Sequence, residues 1–160
     1  MLQASALANP VSLIPNPGFH PMRADFYLID KPRFREQPLL LVCELAKRAC
    51  AAQQPALVLC RDFAQAEALD ELLWSFDADA FIPHQLAGDD DDAETAVLVV
   101  PPGIDTPPRP LAINLRDDCP AETGDRVLEV VPAEPAAREG SRVRWREYQR
   151  RGFEVNKFDM

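Results

Sequence analysis

Short apolar runs alternating with amphipathic segments, and turns rich in Pro and Asp between them, predict an α/β fold: a mainly parallel sheet flanked by helices. Residues 56–60, 97–100, 111–115 and 127–131 are nearly continuous in apolar character, as strands covered on both faces are. With 160 residues, 47% of them hydrophobic, the chain can bury one core and is too apolar to be disordered throughout.

Each element has its own signal. Residues 24–30 read ADFYLID, a buried strand closed by Asp30-Lys31-Pro32. After Pro38, Leu41, Val42, Leu45, Ala46 and Ala49 recur at helical spacing, with Glu44, Lys47 and Arg48 on the other side. That is an amphipathic helix with Pro38 tolerated in its first turn. Gln53-Gln54-Pro55 ends it before the strand at 56–60, and strand–helix–strand suggests a right-handed parallel crossover. Asp62 stands at an N-cap with Gln65 three residues on, a variant of the capping box. Ala66, Leu69, Leu72, Leu73 and Phe76 then mark a second helix, opposite Glu67, Asp70 and Glu71. The three later apolar runs read as strands. Residues 134–151 are helix-compatible and stop at Gly152, a residue suited to a left-handed helix end.

Residues 1–21 differ from the rest. Pro10, Pro15, Pro17 and Pro21 forbid a helix or inner strand there, so this stretch is expected to be a loose, disordered Pro-rich arm or a start-site artefact with translation starting at Met22, before a single α/β domain at 22–160. No Lys or Arg precedes Arg23, so a secretory signal is not expected. The longest apolar runs are about half a dozen residues, against the ~20 of a membrane-spanning helix, and a soluble, cytoplasmic protein is expected. Cys43, Cys50, Cys60 and Cys119 show no Cys-x-x-Cys spacing and lie far in sequence from His20 and His84, so they read as small hydrophobes in a reducing compartment, with no metal and no cofactor. Seventeen Lys and Arg against 26 Asp and Glu leave a net charge of -9, which argues against wrapping a phosphate backbone.

Motifs for chemistry are absent. No two of the six glycines are spaced for a phosphate loop, and none of the serines sits in a nucleophile elbow. Four adjacent carboxylates, Asp89 to Asp92, repel one another and read as a solvated loop better than as a Mg²⁺ site. His84, in the loop Phe81-Ile82-Pro83-His84, has no marked catalytic partner; its role as a general base stays formally open.

One segment breaks the charge pattern. Arg138, Arg142, Arg144, Arg146, Arg150 and Arg151 face only Glu139 and Glu147, a local net of +4 that leaves -13 on the remainder. Arg138, Arg142 and Arg146 share one helix edge, Trp145 lies three beyond Arg142, and Gln149 continues the edge. Guanidinium groups beside an aromatic ring suit an acidic peptide with an apolar residue. A solvated basic helix with Trp145 folded inward is the bland alternative, and nucleic acid comes third because the acidic remainder repels phosphates.

Several runs together resemble a known family. Asp25-Phe26-Tyr27-Leu28-Ile29, Leu41-Val42-Cys43-Glu44-Leu45-Ala46, Ala68-Leu69-Asp70-Glu71-Leu72-Leu73-Trp74-Ser75-Phe76, Phe81-Ile82-Pro83-His84, Leu86-Ala87-Gly88, Arg146-Glu147-Tyr148 and Arg151-Gly152-Phe153 are similar, in order and spacing over about residues 22–158, to the chi subunit of bacterial DNA polymerase III. The resemblance implies a nucleotide-binding-like, Rossmann-like three-layer fold without a phosphate loop, and a non-catalytic clamp-loader accessory with no catalytic site of its own. It implies two partners, a psi subunit and the acidic C-terminal tail of single-stranded DNA-binding protein, with DNA contacted indirectly. The tail site carries over to Arg138, Arg142, Trp145 and Arg146, with Gln149 on the same edge, and the psi site to Trp74 and Phe81. Trp145 stands where the family pattern has Tyr, and residues 1–21 and the Asp89 to Asp92 run are additions. For Trp74 and Phe81 the rival reading is core packing. Two other functions compete: an adaptor for a DNA-repair helicase through the same Trp74 and Phe81 surface, and a small α/β enzyme using His84.

Overall fold

The structure, a computed structural model, describes residues 22–160. In chain order the elements are β1 (Arg23–Leu28), α1 (Pro32–Glu36), α2 (Leu39–Ala51), β2 (Ala56–Leu59), α3 (Phe63–Ser75), β3 (His84–Leu86), a 3-10 turn (Asp92–Glu94), β4 (Val97–Val100), β5 (Leu111–Asn114), β6 (Arg126–Val131), α4 (Pro135–Arg150) and β7 (Glu154–Asp159). The strands form one seven-stranded sheet in the order β3-β4-β2-β5-β6-β1-β7, and each neighbouring pair is parallel. The expected strand–helix–strand unit lies within this sheet, but β1 and β2 are not neighbours: β5 and β6 stand between them.

The continuous apolar runs are explained by burial on both faces. Val58, Val99 and Ile113 join α2 and α3 in the main core, whereas Leu57, Leu59, Leu98 and Ala112 point to the opposite side. On that opposite side α4 covers the β6–β1 half of the sheet, with Tyr148 packed against Phe26 and Val127, and the result is three layers. The irregular segments joining β4, β5 and β6 border the other half.

Local chemistry sets the helix ends. Asp62 Oδ1 accepts the Gln65 N–H at 2.7 Å, and Gln65 Oε1 accepts the Arg61 N–H at 2.7 Å, so the reciprocal bond of the capping box reaches one residue further back. α4 ends in a Schellman motif: Gly152 donates to the Gln149 carbonyl and Phe153 to the Tyr148 carbonyl, each at 3.0 Å, with Gly152 at φ +89°. Phe153 packs back on Tyr148 at 5.2 Å between ring centroids and launches β7.

Three elements differ from the sequence expectation. The sequence signals neither α1 nor β7, and β3 begins at His84, where the sequence predicts a loop. Its ladder with β4 supplies what three residues cannot show alone. β7 carries Glu154, Asn156, Lys157 and Asp159, too polar to read as a strand, yet it pairs with β1 throughout, Arg23 opposite Glu154 to Leu28 opposite Asp159. Cys43 and Cys60 are buried as expected, while Cys50 and Cys119 are half-buried, and all four thiols are free. The expectation for the arm at 1–21 lies outside the described residues. Among the described residues no helix is long and apolar enough to cross a membrane.

Candidate functional site

α4 carries five arginines and Arg151 follows at its end, and the fold sorts these six into two sets. Arg144 turns inward: its Nε donates to Glu129 Oε1 at 2.9 Å, and Glu129 is fully buried in β6. Glu129 also accepts from Tyr148 Oη at 2.6 Å and Asn114 Nδ2 at 2.8 Å, which pins α4 to the sheet. Burial pushes the Glu129 carboxyl up, and Arg144 and the neutral donors oppose that rise. Arg150 and Arg151 both bind Glu147, at 2.6 and 2.8 Å, and hold its carboxyl down at about 2.

The other set, Arg138, Arg142 and Arg146, lines a groove of about 390 Å³ between α4 and the β1–β7 side of the sheet. Its walls also include Phe26 and Leu28 from β1, Val131 at the end of β6, Trp145 from α4 and Lys157 from β7. Phe26 and Lys157 are register partners on adjacent strands, which sets the cation beside the aromatic ring. Trp145 is neither folded inward nor fully exposed: it is half-buried, tilted on Phe26 at 4.9 Å, and keeps a face on the groove. Gln149 is exposed and lies outside the groove lining. Among the described residues, the one carboxylate pairing with groove arginines is Glu139, at 3.4 Å from Arg142 and 3.7 Å from Arg146. Lys157 and the Phe26 floor were not singled out from sequence; Lys157 escaped because β7 itself did.

Trp74 and Phe81 are the most exposed aromatics among the described residues, at 63% and 74% of their full surface. Neither belongs to the core. Trp74, on α3, rests on the His84 ring at 4.6 Å. The His84 side chain is fully enclosed, Nδ1 lying 2.7 Å from the Ile82 carbonyl and Nε2 3.0 Å from the Asp70 carbonyl. An imidazole so enclosed has no open face for a substrate; it buttresses the tryptophan. In the acidic run, Asp92 accepts from the Gly88 N–H at 2.7 Å and from Gln85 Nε2 at 2.7 Å, so this carboxylate shapes its own loop. Backbone hydrogen bonding from Gly88 holds it below the usual carboxylate range. At the carboxyl ends of β2 and β4, where open α/β sheets commonly hold ligands, Arg116 donates to the Cys60 and Val100 carbonyls at 2.9 and 3.0 Å.

Comparison with known proteins decides the family. The sequence profile described as "DNA polymerase III chi subunit, HolC" matches residues 22–156, most of the chain. The chain belongs to that family. DNA polymerase III subunit chi of Pseudomonas aeruginosa is 40% identical over 136 residues, spanning 82% of this chain and 92% of that protein. The Escherichia coli subunit chi is 32% identical over 139 residues, spanning 83% and 95%. In fold, this chi-family chain is similar to the C-terminal domain of the DEAD-box protein Dbp5, with a TM-score of 0.58 at 12% identity over 86% of this chain and 90% of that one.

Proposed function

We propose that this chi-family protein is a non-catalytic adaptor of the DNA polymerase III complex, acting in the cytoplasm through its 22–160 domain. It links the clamp loader, through a psi subunit at Trp74 and Phe81, to the acidic tail of single-stranded DNA-binding protein at the α4 groove. The observation that carries this reading is the convergence of Arg138, Arg142, Arg146 and Lys157 around an apolar floor of Phe26 and Trp145. The mechanism has two parts. Cations on an acidic chain attract the negative tail, and its terminal apolar side chain then lies against Trp145 and Phe26.

Fluorescence polarisation with a labelled peptide carrying the last ten or so residues of the organism's own single-stranded DNA-binding protein tests the groove. Micromolar binding is expected, weakening as salt rises because these guanidiniums are exposed. Arg142→Ala should weaken it roughly fivefold, as loss of one exposed ionic contact does, with the melting curve unchanged. A peptide lacking its terminal apolar residue should bind far less. No binding of the full peptide at low salt removes the tail-docking reading.

A further inference from the structure

The arginines of α4 are not equally available. Arg144 is 2.9 Å from a fully buried carboxylate, and Arg150 and Arg151 hold the half-buried Glu147 at hydrogen-bond distances of 2.6 and 2.8 Å, although Arg150 itself stays 72% exposed. The contacts of Glu139 differ in kind. Its two oxygens reach Arg142 and Arg146 at 3.4 and 3.7 Å, longer than a charge-assisted hydrogen bond, and all three side chains keep 64% of their surface in solvent. Nothing packs this pair of contacts in place. On the opposite wall Lys157 makes no ion pair among the described residues.

We propose that Glu139 is a built-in competitor of the groove: its carboxylate holds Arg142 and Arg146 in the free protein, and an acidic peptide must displace it to dock. This inference rests on the tail-docking reading and adds a residue that sets its threshold. Displacement is easy because an exposed pair contributes little, so Glu139 tunes affinity without closing the site. It also acts on specificity. Glu139 divides its two oxygens between two guanidiniums, so a ligand with a single carboxylate recovers one of the two contacts and leaves the other arginine with the competitor. A ligand with neighbouring carboxylates frees both and gains Lys157 besides. The groove therefore discriminates by acidic density, and a peptide with one acid near its apolar end binds much less well than one with three.

The test is Glu139→Gln, which keeps side-chain size and removes the charge, measured by fluorescence polarisation with the same tail peptide. Asp90→Asn serves as the charge-matched control, since Asp90 is exposed in the loop between β3 and β4, at the far edge of the sheet from β7. Glu139→Gln should tighten binding roughly two- to fivefold, the range expected for releasing weak exposed pairs, while Asp90→Asn moves it little. In an Arg142→Ala, Arg146→Ala background the Glu139→Gln gain should vanish, because the competitor then has nothing to hold. Equal effects of Glu139→Gln and Asp90→Asn, or a gain that survives removal of both arginines, overturn the competitor and leave the groove standing. Failure of the unmodified protein to bind the peptide overturns both.

Discussion

Trp74 shows how one side chain separates a docking role from a packing role. The residue is 63% exposed, and its indole rests on the His84 ring. Truncation to alanine therefore removes little buried surface, since the apolar area lost from the folded state is mostly area already in water. Trp74→Ala should leave the unfolding free energy from urea titration within about 1 kcal/mol of the parent and abolish co-purification of the psi subunit. A collapse of the fold would mean that the ring belongs to the core; retained psi with an intact fold would remove the patch from the interface. Arg144 teaches the converse. By spacing it is one more cation of a basic segment, but its guanidinium neutralises buried Glu129, and its loss bears on stability rather than on docking.

Among the elements, α4 is the most informative because its ends and faces do separate jobs. Pro135 opens it, the Schellman motif at Gly152 closes it, and the turn sends the chain directly into β7, which brings Lys157 to the groove. A Cβ at Gly152 would meet nothing within 4 Å, so alanine there faces only the backbone cost of φ +89°. Gly152→Ala should cost roughly 1 kcal/mol, seen as a melting temperature lower by about 3 °C. A melt equal to the parent's would mean that the turn relaxes without strain. The stop at Gly152 was legible in sequence, as were α2, α3 and the Asp62 cap, because those signals lie within a few residues. β7 was not legible, because its stability comes from the ladder with β1, about 130 residues earlier in the chain.

For the molecule as a whole, the response to acid follows from where its carboxylates sit. Asp25, fully buried in β1, is penalised by burial, yet donors from Arg23, Asn156 and Arg126 hold it below its usual range and tie β1 to β6 and β7. Glu147 is held at about 2 by Arg150 and Arg151. For both, the folded-state pKa lies below the unfolded one, so their stabilisation is present above the unfolded pKa and lost as pH falls toward the folded value. Glu129 has the opposite sign: burial raises it, and its contribution declines as pH rises through that raised value. Urea midpoints should therefore drop between pH 5 and pH 3, and the drop should be smaller in Glu147→Gln. A parent midpoint that stays level over that interval contradicts this account.

Apolar periodicity and local punctuation sufficed for the α/β class, for α2, α3 and α4 and for the five inner strands β1, β2, β4, β5 and β6, since hydrophobic burial and backbone hydrogen bonding act on neighbours in the chain. The basic character of residues 138–151 was equally plain. Composition could not reveal which guanidiniums remain for a partner, because that depends on contacts made across the sheet: Glu129 claims Arg144, Glu147 claims Arg150 and Arg151, and Lys157 arrives on a strand too polar to recognise. Charge is a property of residues, whereas availability of charge is a property of distances, and those exist only once distant segments have packed together.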